Sequence, residues 1–334
     1  MAGAVVLGLF WQQCGWLAHD FLHHQVFKTR FYGDCAGLII GNLFQGFSVQ
    51  WWKSKHNAHH AVPNLHGSVP GACDGDPDID TMPLLAWSLK MAEQAKDDKT
   101  ARSLIAWQSY FYFPVLLFAR LAWAHQSWTF NFGGAGIRAV EGAKLDQKYI
   151  QYPTAEKILL VLHYLAMIAL LSYMPWTYAV AYFVLAQTSC GLFLALVFGL
   201  GHNGMAVYPA NERPDFWKLQ VTTTRNVTSN WFVDWFCGGL QYQVCTPPPS
   251  SPSHTSISMC LMDSLCVFYS SQVDHHLFPS LPRHNLYKVH KLVESFCKEQ
   301  GVTYHEADMV TGTMEVLHHL SHVSAEFVRE FPAM

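Results

Sequence analysis

The chain has 334 residues, of which 51% are hydrophobic, 14% aromatic and only 13% charged. A soluble domain carries about 25% charged residues, so an ordinary cytosolic enzyme and a disordered chain are both ruled out. Net charge is −3 with a pI near 6.7, which leaves no basic field for nucleic acid.

Ala2 to Ala18 is apolar apart from Gln12 and Gln13. It has no basic n-region and no cleavage site, so it is not a signal peptide; it reads as the end of a membrane span. His19-Asp20-Phe21-Leu22-His23-His24 follows directly. Ala36 to Trp52 holds Asn42, Gln45 and Gln50, and reads as an interfacial segment, a shallow re-entrant turn or a buried helix. His56-Asn57-Ala58-His59-His60 comes next. Gly67 to Met82 is an acidic loop with Asp74, Asp76, Asp78 and Asp80. Leu104 to Ala124 contains Gln108, Arg120 and two tyrosines, and is read as interfacial or buried. Arg138 to Gln151 is a polar connector.

Two stretches are strong span candidates. Ile158 to Tyr173 is apolar except for His163 and Ser172, and Tyr178 to Leu200 is 23 residues without a charge. About 20 apolar residues cross the hydrocarbon core. Met174-Pro175-Trp176-Thr177 between them supplies an interfacial Trp and a helix-stopping Pro, so the pair predicts a helical hairpin. His202-Asn203-Gly204 sits just past its end, and Gln272-Val273-Asp274-His275-His276 follows later. From Ser280 the chain carries mixed charge (Lys288, Lys291, Glu294, Lys298, Glu299) and reads as a soluble, partly helical cap. The nine cysteines form no C-x-x-C pair and read as reduced thiols.

The histidines carry the chemistry. On a helix, residues three or four apart share a face. His19 and His23 therefore point one way, as do His56, His59 and His60, and Gln272, His275 and His276. His24 lies off its face and is the weakest member. Imidazole suits iron, copper and zinc. Seven box histidines plus His202 exceed one tetrahedral zinc and fit two metals with open positions. The remaining ten histidines (66, 125, 163, 254, 284, 290, 305, 318, 319, 322) are read as ordinary core or surface residues. One metal site needs all boxes on one side of the bilayer. The hairpin crosses twice and returns, so neither Ala36–Trp52 nor Leu104–Ala124 should span.

At these residues the chain resembles the membrane fatty acid desaturases of the front-end acyl type, closest to the delta-6 enzymes of microalgae and fungi. The resemblance rests on Gln12 to Asp20, Trp51 to His60, Gly75 to Asp80, Gly201 to Gly204 and Val273 to Pro279, and extends over most of the chain. It implies an all-α integral membrane protein: four transmembrane helices under a cytosolic histidine-rich cap, in the endoplasmic reticulum membrane. It implies two iron ions held by the boxes, with His202 as a further ligand and Gln272 opening the third box. It also implies cis desaturation of a long acyl chain with O2, fed by electrons from cytochrome b5 and an NADH-dependent reductase. Asp20, Asp76, Asp78 and Asp274 are candidates for orienting the imidazoles through their outer nitrogens. Trp16, Trp51 and Trp52 are placed to line a narrow acyl tunnel. Delta-5 or delta-8 regiochemistry, a sphingolipid substrate, hydroxylation on the same scaffold, or an inactive fragment stand as alternatives.

Two departures qualify the resemblance. Family members of this type usually begin with a fused cytochrome b5 domain bearing His-Pro-Gly-Gly. That motif is not in this sequence, so residues 1–334 are read as an amino-terminally incomplete desaturase domain, or else the cytochrome acts in trans. The family also runs Gln-Tyr-Gln straight into Val-Asp-His-His. Here Gln241-Tyr242-Gln243 is followed by 29 atypical residues, 244–272, with eight Ser, four Pro, three Cys and no Lys, Arg, Glu or Gly. They read either as a Pro/Ser loop with a short apolar patch or, preferentially, as a retained intron. A Val codon begins GT, a Gln codon can be CAG, the end is pyrimidine-rich in codons, and 29 codons keep the frame. Spliced out, Gln243 takes the place of Gln272. The intron reading predicts a mature transcript that lacks codons 244–272; a cDNA that reads through all of them contradicts it.

Overall fold

The computed structural model describes residues 1–68, 74–133, 151–228, 230–238 and 272–332. Gln243, the atypical residues up to Ser271, His254, most of the polar connector and the side chain of His284 lie outside the described residues.

Three long helices form an apolar layer. Helix α1 (Ala2–Leu22) lies along α9 (Trp176–His202), which forms a hairpin with α8 (Pro153–Ser172). Pro153 starts α8 where its missing N–H costs nothing, and Pro175 stands immediately before α9. Among the described residues, α8 and α9 are the two helices long and apolar enough to cross a membrane. Ile158, Leu162, Leu165 and Ile168 form an exposed stripe along α8, a surface that water penalises and hydrocarbon does not. Gly8 allows α1 to approach α9 closely: a Cβ there would stand 2.9 Å from the Ala186 carbonyl oxygen. Gln12 and Gln13 stay satisfied in this layer by donating to the Phe236 and Trp235 carbonyls of the short helix α11 (Trp231–Phe236).

Between α1 and the second histidine box the chain dips and returns. Helix α2 (Arg30–Gly37) continues as a π-helical stretch, Leu38–Gln45, reverses at Gly46, and re-emerges as α3 (Val49–Ala61). Gly46 has φ +87°, and its N–H and that of Phe47 both donate to the Gly41 carbonyl. Ser48 caps α3, accepting from the Trp51 N–H. Glu156 of α8 completes that end. Its carboxylate accepts from Ser48 Oγ at 2.5 Å, Asn42 Nδ2 at 3.1 Å and the Gln50 N–H at 2.8 Å. Both flanks of the dip thus meet the same end of the bundle.

Leu104 to Ala124 is not one element. It breaks into α5 (Lys99–Ala106), α6 (Gln108–Leu116) and α7 (Ala119–Phe132). The break follows from polar residues that need partners inside the fold. Gln108 bonds the Ala86 N–H and the Leu320 carbonyl, which ties α6 to the cap. Arg120, 2% exposed, turns inward on α7 to Gln187, the Gln45 carbonyl and His163, with the Trp11 ring 3.7 Å away.

The cap combines α10 (Phe216–Thr222), α12 (Gln272–Leu277), α13 (Arg283–Glu299) and α14 (Met309–Glu330) with the short α4 (Leu89–Ala92). Asp308 caps α14 by accepting from Val310 and Thr311. Its core joins Trp87, Ile105 and Tyr112 to Leu320 and Phe327. Two parallel two-residue bridges knit loops together: β1 (Leu65–His66) with β2 (Tyr208–Pro209), and β3 (Asn226–Val227) with β4 (Glu306–Ala307).

Gly46→Ala tests the dip. A left-handed conformation costs a non-glycine residue about 1–2 kcal/mol. The new Cβ would also collide with the His163 ring. The expected outcome is a lower thermal unfolding midpoint in detergent, equivalent to roughly 2 kcal/mol or more; an unchanged midpoint contradicts the turn.

Candidate metal centre

The boxes converge where α1, α3, α9 and α12 meet. Each histidine arrives by helical spacing. His19 is in the last turn of α1 and His23 follows its end. His56, His59 and His60 lie on α3, His202 ends α9, and His275 and His276 lie on α12. Their ring nitrogens form two groups, each with all its atoms within 4.8 Å of one another: His19, His23, His56, His60 and His275, and then His59, His202 and His276. The groups abut, because the His60 and His276 rings stack with centroids 4.2 Å apart.

The donor chemistry fits metal ions. His56 Nε2 faces His60 Nε2 at 3.0 Å, and His59 Nε2 faces His202 Nε2 at 3.3 Å. Buried nitrogens this close need either one shared proton or a shared cation. Among the described residues, His23, His275 and His276 each leave Nε2 buried without a partner. Meanwhile the outer nitrogens of three rings are held. His59 Nδ1 donates to Asp76 at 2.8 Å, His202 Nδ1 to the Thr223 carbonyl at 3.1 Å, and His276 Nδ1 to Gln220 Oε1 at 3.0 Å. This aims the inner nitrogens at a common point, the arrangement ligating histidines adopt.

The family comparison follows from these residues. The model of the family described as fatty acid desaturase matches residues 1–244. The chain belongs to the fatty acid desaturase family. It is 36% identical over 330 residues to an acyl-lipid (9-3)-desaturase of Physcomitrium patens, covering 97% of this chain and 53% of that protein. It is 34% identical to a delta(6)-fatty-acid desaturase of Caenorhabditis elegans, covering 93% of this chain and 62% of that one. A delta(8)-fatty-acid desaturase of Euglena gracilis is 33% identical, with coverage of 99% and 69%. The chain thus spans about half to two thirds of these relatives' length. No solved structure matches.

The candidate carboxylates differ in what they hold. Asp76, 3% exposed, meets His59 and also accepts from the Asn64 and Asp78 backbone N–H groups. Asp78 is 3.8 Å from His59 and pairs with Lys55 at 3.2 Å. Asp20 is 3.4 Å from His19 Nδ1 and pairs with Arg283. Asp274 turns away from the imidazoles to His290 and Tyr304. His24 belongs to neither group; it adopts φ +56° beyond the end of α1, next to Gly33. Gln272 packs over Gly201 and borders the cavity described next.

A cavity of about 330 Å³ reaches the histidine cluster at His19, His56, His59 and His202. Trp51, Trp52 and Trp123 wall it, and it continues over Leu116, Ala119, Ala122, Leu194 and Phe198. Trp16 is not on that wall; it donates to the Phe236 carbonyl and packs on Phe198. Gln220, Thr223, Asn64 and Tyr304 were not singled out by the sequence reading. The signal for the first two was a largely polar stretch, Gln220 to Asn226, interrupted by Val221, soon after the apolar hairpin.

Burial, then His24 and Lys53, pushes His23 down to about 3. Burial and the neighbouring rings hold His56, His60, His275 and His276 well below the ordinary imidazole range. Burial also works against a charge on His59, but the Asp76 carboxylate outweighs it and raises that ring. For the depressed rings the unfolded chain takes up protons below the ordinary 6.5 while the folded chain does not, so stability is present above 6.5 and lost as pH falls toward 3. His59 acts in the opposite sense and is outnumbered. The metal-free protein is therefore expected to unfold at lower temperature at pH 5 than at pH 7, by up to about 1.4 kcal/mol per pH unit per depressed ring; a midpoint that rises on acidification contradicts this. Asp76→Asn is expected to weaken metal binding about 10–100-fold in a metal titration.

Proposed function

We propose that the chain is a di-iron, O2-dependent front-end desaturase that introduces a cis double bond into a long polyunsaturated acyl chain at carbon six. One observation carries the reading: eight imidazoles lie in abutting groups of five and three, and four of them, His19, His56, His59 and His202, line a largely apolar cavity. Names of similar proteins support the acyl substrate, among them the delta(6), delta(5) and delta(8) desaturases at 34%, 31% and 33% identity.

The chain's own residues divide the work. Trp51, Trp52 and the α7–α9 wall hold the acyl chain and exclude water from the reacting methylenes. Asp76, the Thr223 carbonyl and Gln220 fix the outer nitrogens of His59, His202 and His276, so that three inner nitrogens are aimed without reorganisation. His19, His23, His56, His60 and His275 supply the second ligand group, with Gln272 beside the first. Two iron ions held by these rings would supply the O2-dependent removal of two hydrogens, with electrons arriving from cytochrome b5 and an NADH-dependent reductase. In this reading α8 and α9 span the endoplasmic reticulum membrane, and the histidine face meets the cytosol.

Expression in yeast fed linoleic and alpha-linolenic acids tests the proposal. New double bonds at carbon six are the expected products. Bonds at carbon five or eight would move the regiochemistry, and hydroxylated products would replace desaturation with another reaction on the same scaffold.

A further inference from the structure

The described part of helix α12, which carries the third box, runs Gln272–Leu277. Tertiary contacts hold it from several sides. The Val273 N–H donates to Asn226 Oδ1 at 2.9 Å. The Val273 side chain, fully buried, packs with Val221, Val293 and Cys297, flanked by Leu277 and Tyr304. At the far end Gln25 Nε2 donates to the Pro279 carbonyl at 2.8 Å.

The strongest anchor is Asp274. Its side chain is fully buried, and one oxygen, Oδ2, accepts from His290 Nδ1 at 3.0 Å and from Tyr304 Oη at 2.9 Å. A carboxylate buried without donors is costly, and donors to a charged acceptor give stronger hydrogen bonds than neutral pairs. His290 comes from α13, and Tyr304 from the strand approach to β4, whose partner β3 carries Asn226. The cap thus grips box three from three elements. Asp274 directly precedes His275 and His276, so the grip fixes where those two rings stand.

We propose that His290 and Tyr304 are positioning residues for His275 and His276, acting through Asp274. The proposal rests on the reading of His275 and His276 as metal ligands.

The test uses the full chain and two readouts. Backbone hydrogen exchange of α12 is measured in the metal-free protein, and bound iron is counted after anaerobic addition of ferrous ion. In the double variant His290→Leu with Tyr304→Phe, exchange across α12 is expected to accelerate roughly tenfold or more, with α3 unchanged. Bound iron should fall below two per chain. His290→Asn, which keeps a donor, should restore both. If the double variant unfolds globally, Tyr304→Phe alone carries the test, because it removes one donor and leaves the ring. Unchanged α12 exchange in the clasp variants overturns the proposal. Exchange that responds as stated in a chain that binds no iron upholds the clasp and rejects the metal reading instead.

Discussion

Eight clustered imidazoles, seven buried and His23 half-buried, with nitrogens within 4.8 Å of their neighbours coexist only when they are uncharged or share cations. That constraint organises the rest of the structure. Each added proton would place like charges together in a medium that screens them poorly. The surroundings answer by holding outer nitrogens with a carboxylate, a carbonyl and an amide, so that lone pairs point inward. Four elements must end at one place for this to happen. The long helices α1 and α9 stop there, α3 starts from the dip, and the cap brings α12.

The boxes were legible because helical periodicity puts residues three and four apart on one face. The α8–α9 hairpin was legible from length and the Pro-Trp break. The division of the rings into five and three was not, since it depends on how α3 sits between two neighbours and sends His59 one way and His56 and His60 the other. Periodicity placed His24 off the ligand face, and it lies in neither group. Sequence reasoning could not see the outer-nitrogen partners. A backbone carbonyl such as that of Thr223 has no residue signature, and Gln220 is 56 positions from His276.

Asp274 shows a different limit. Adjacency to two histidines suggested that it orients one of them, yet on a helix neighbouring residues point in different directions. His290, read as an ordinary core histidine, is the residue it meets. Trp16 likewise faces the Phe236 carbonyl instead of the cavity, because its indole N–H needs an acceptor once buried. In both cases the need to satisfy a polar atom overrode proximity in sequence.

The dip at Gly46 has a price in polar bookkeeping, settled by Asn42, Ser48, Ser127 and Glu156. Asn42 accepts from Val49 and donates to Glu156; Ser48 donates to Glu156 through its hydroxyl and to Ser127 Oγ through its own N–H. Four positions separated by up to 114 residues are thereby one chemical unit. Altering any one strands the others, so substitutions across this set are non-additive: the second change in such a group starts from a background that the first has already rewritten.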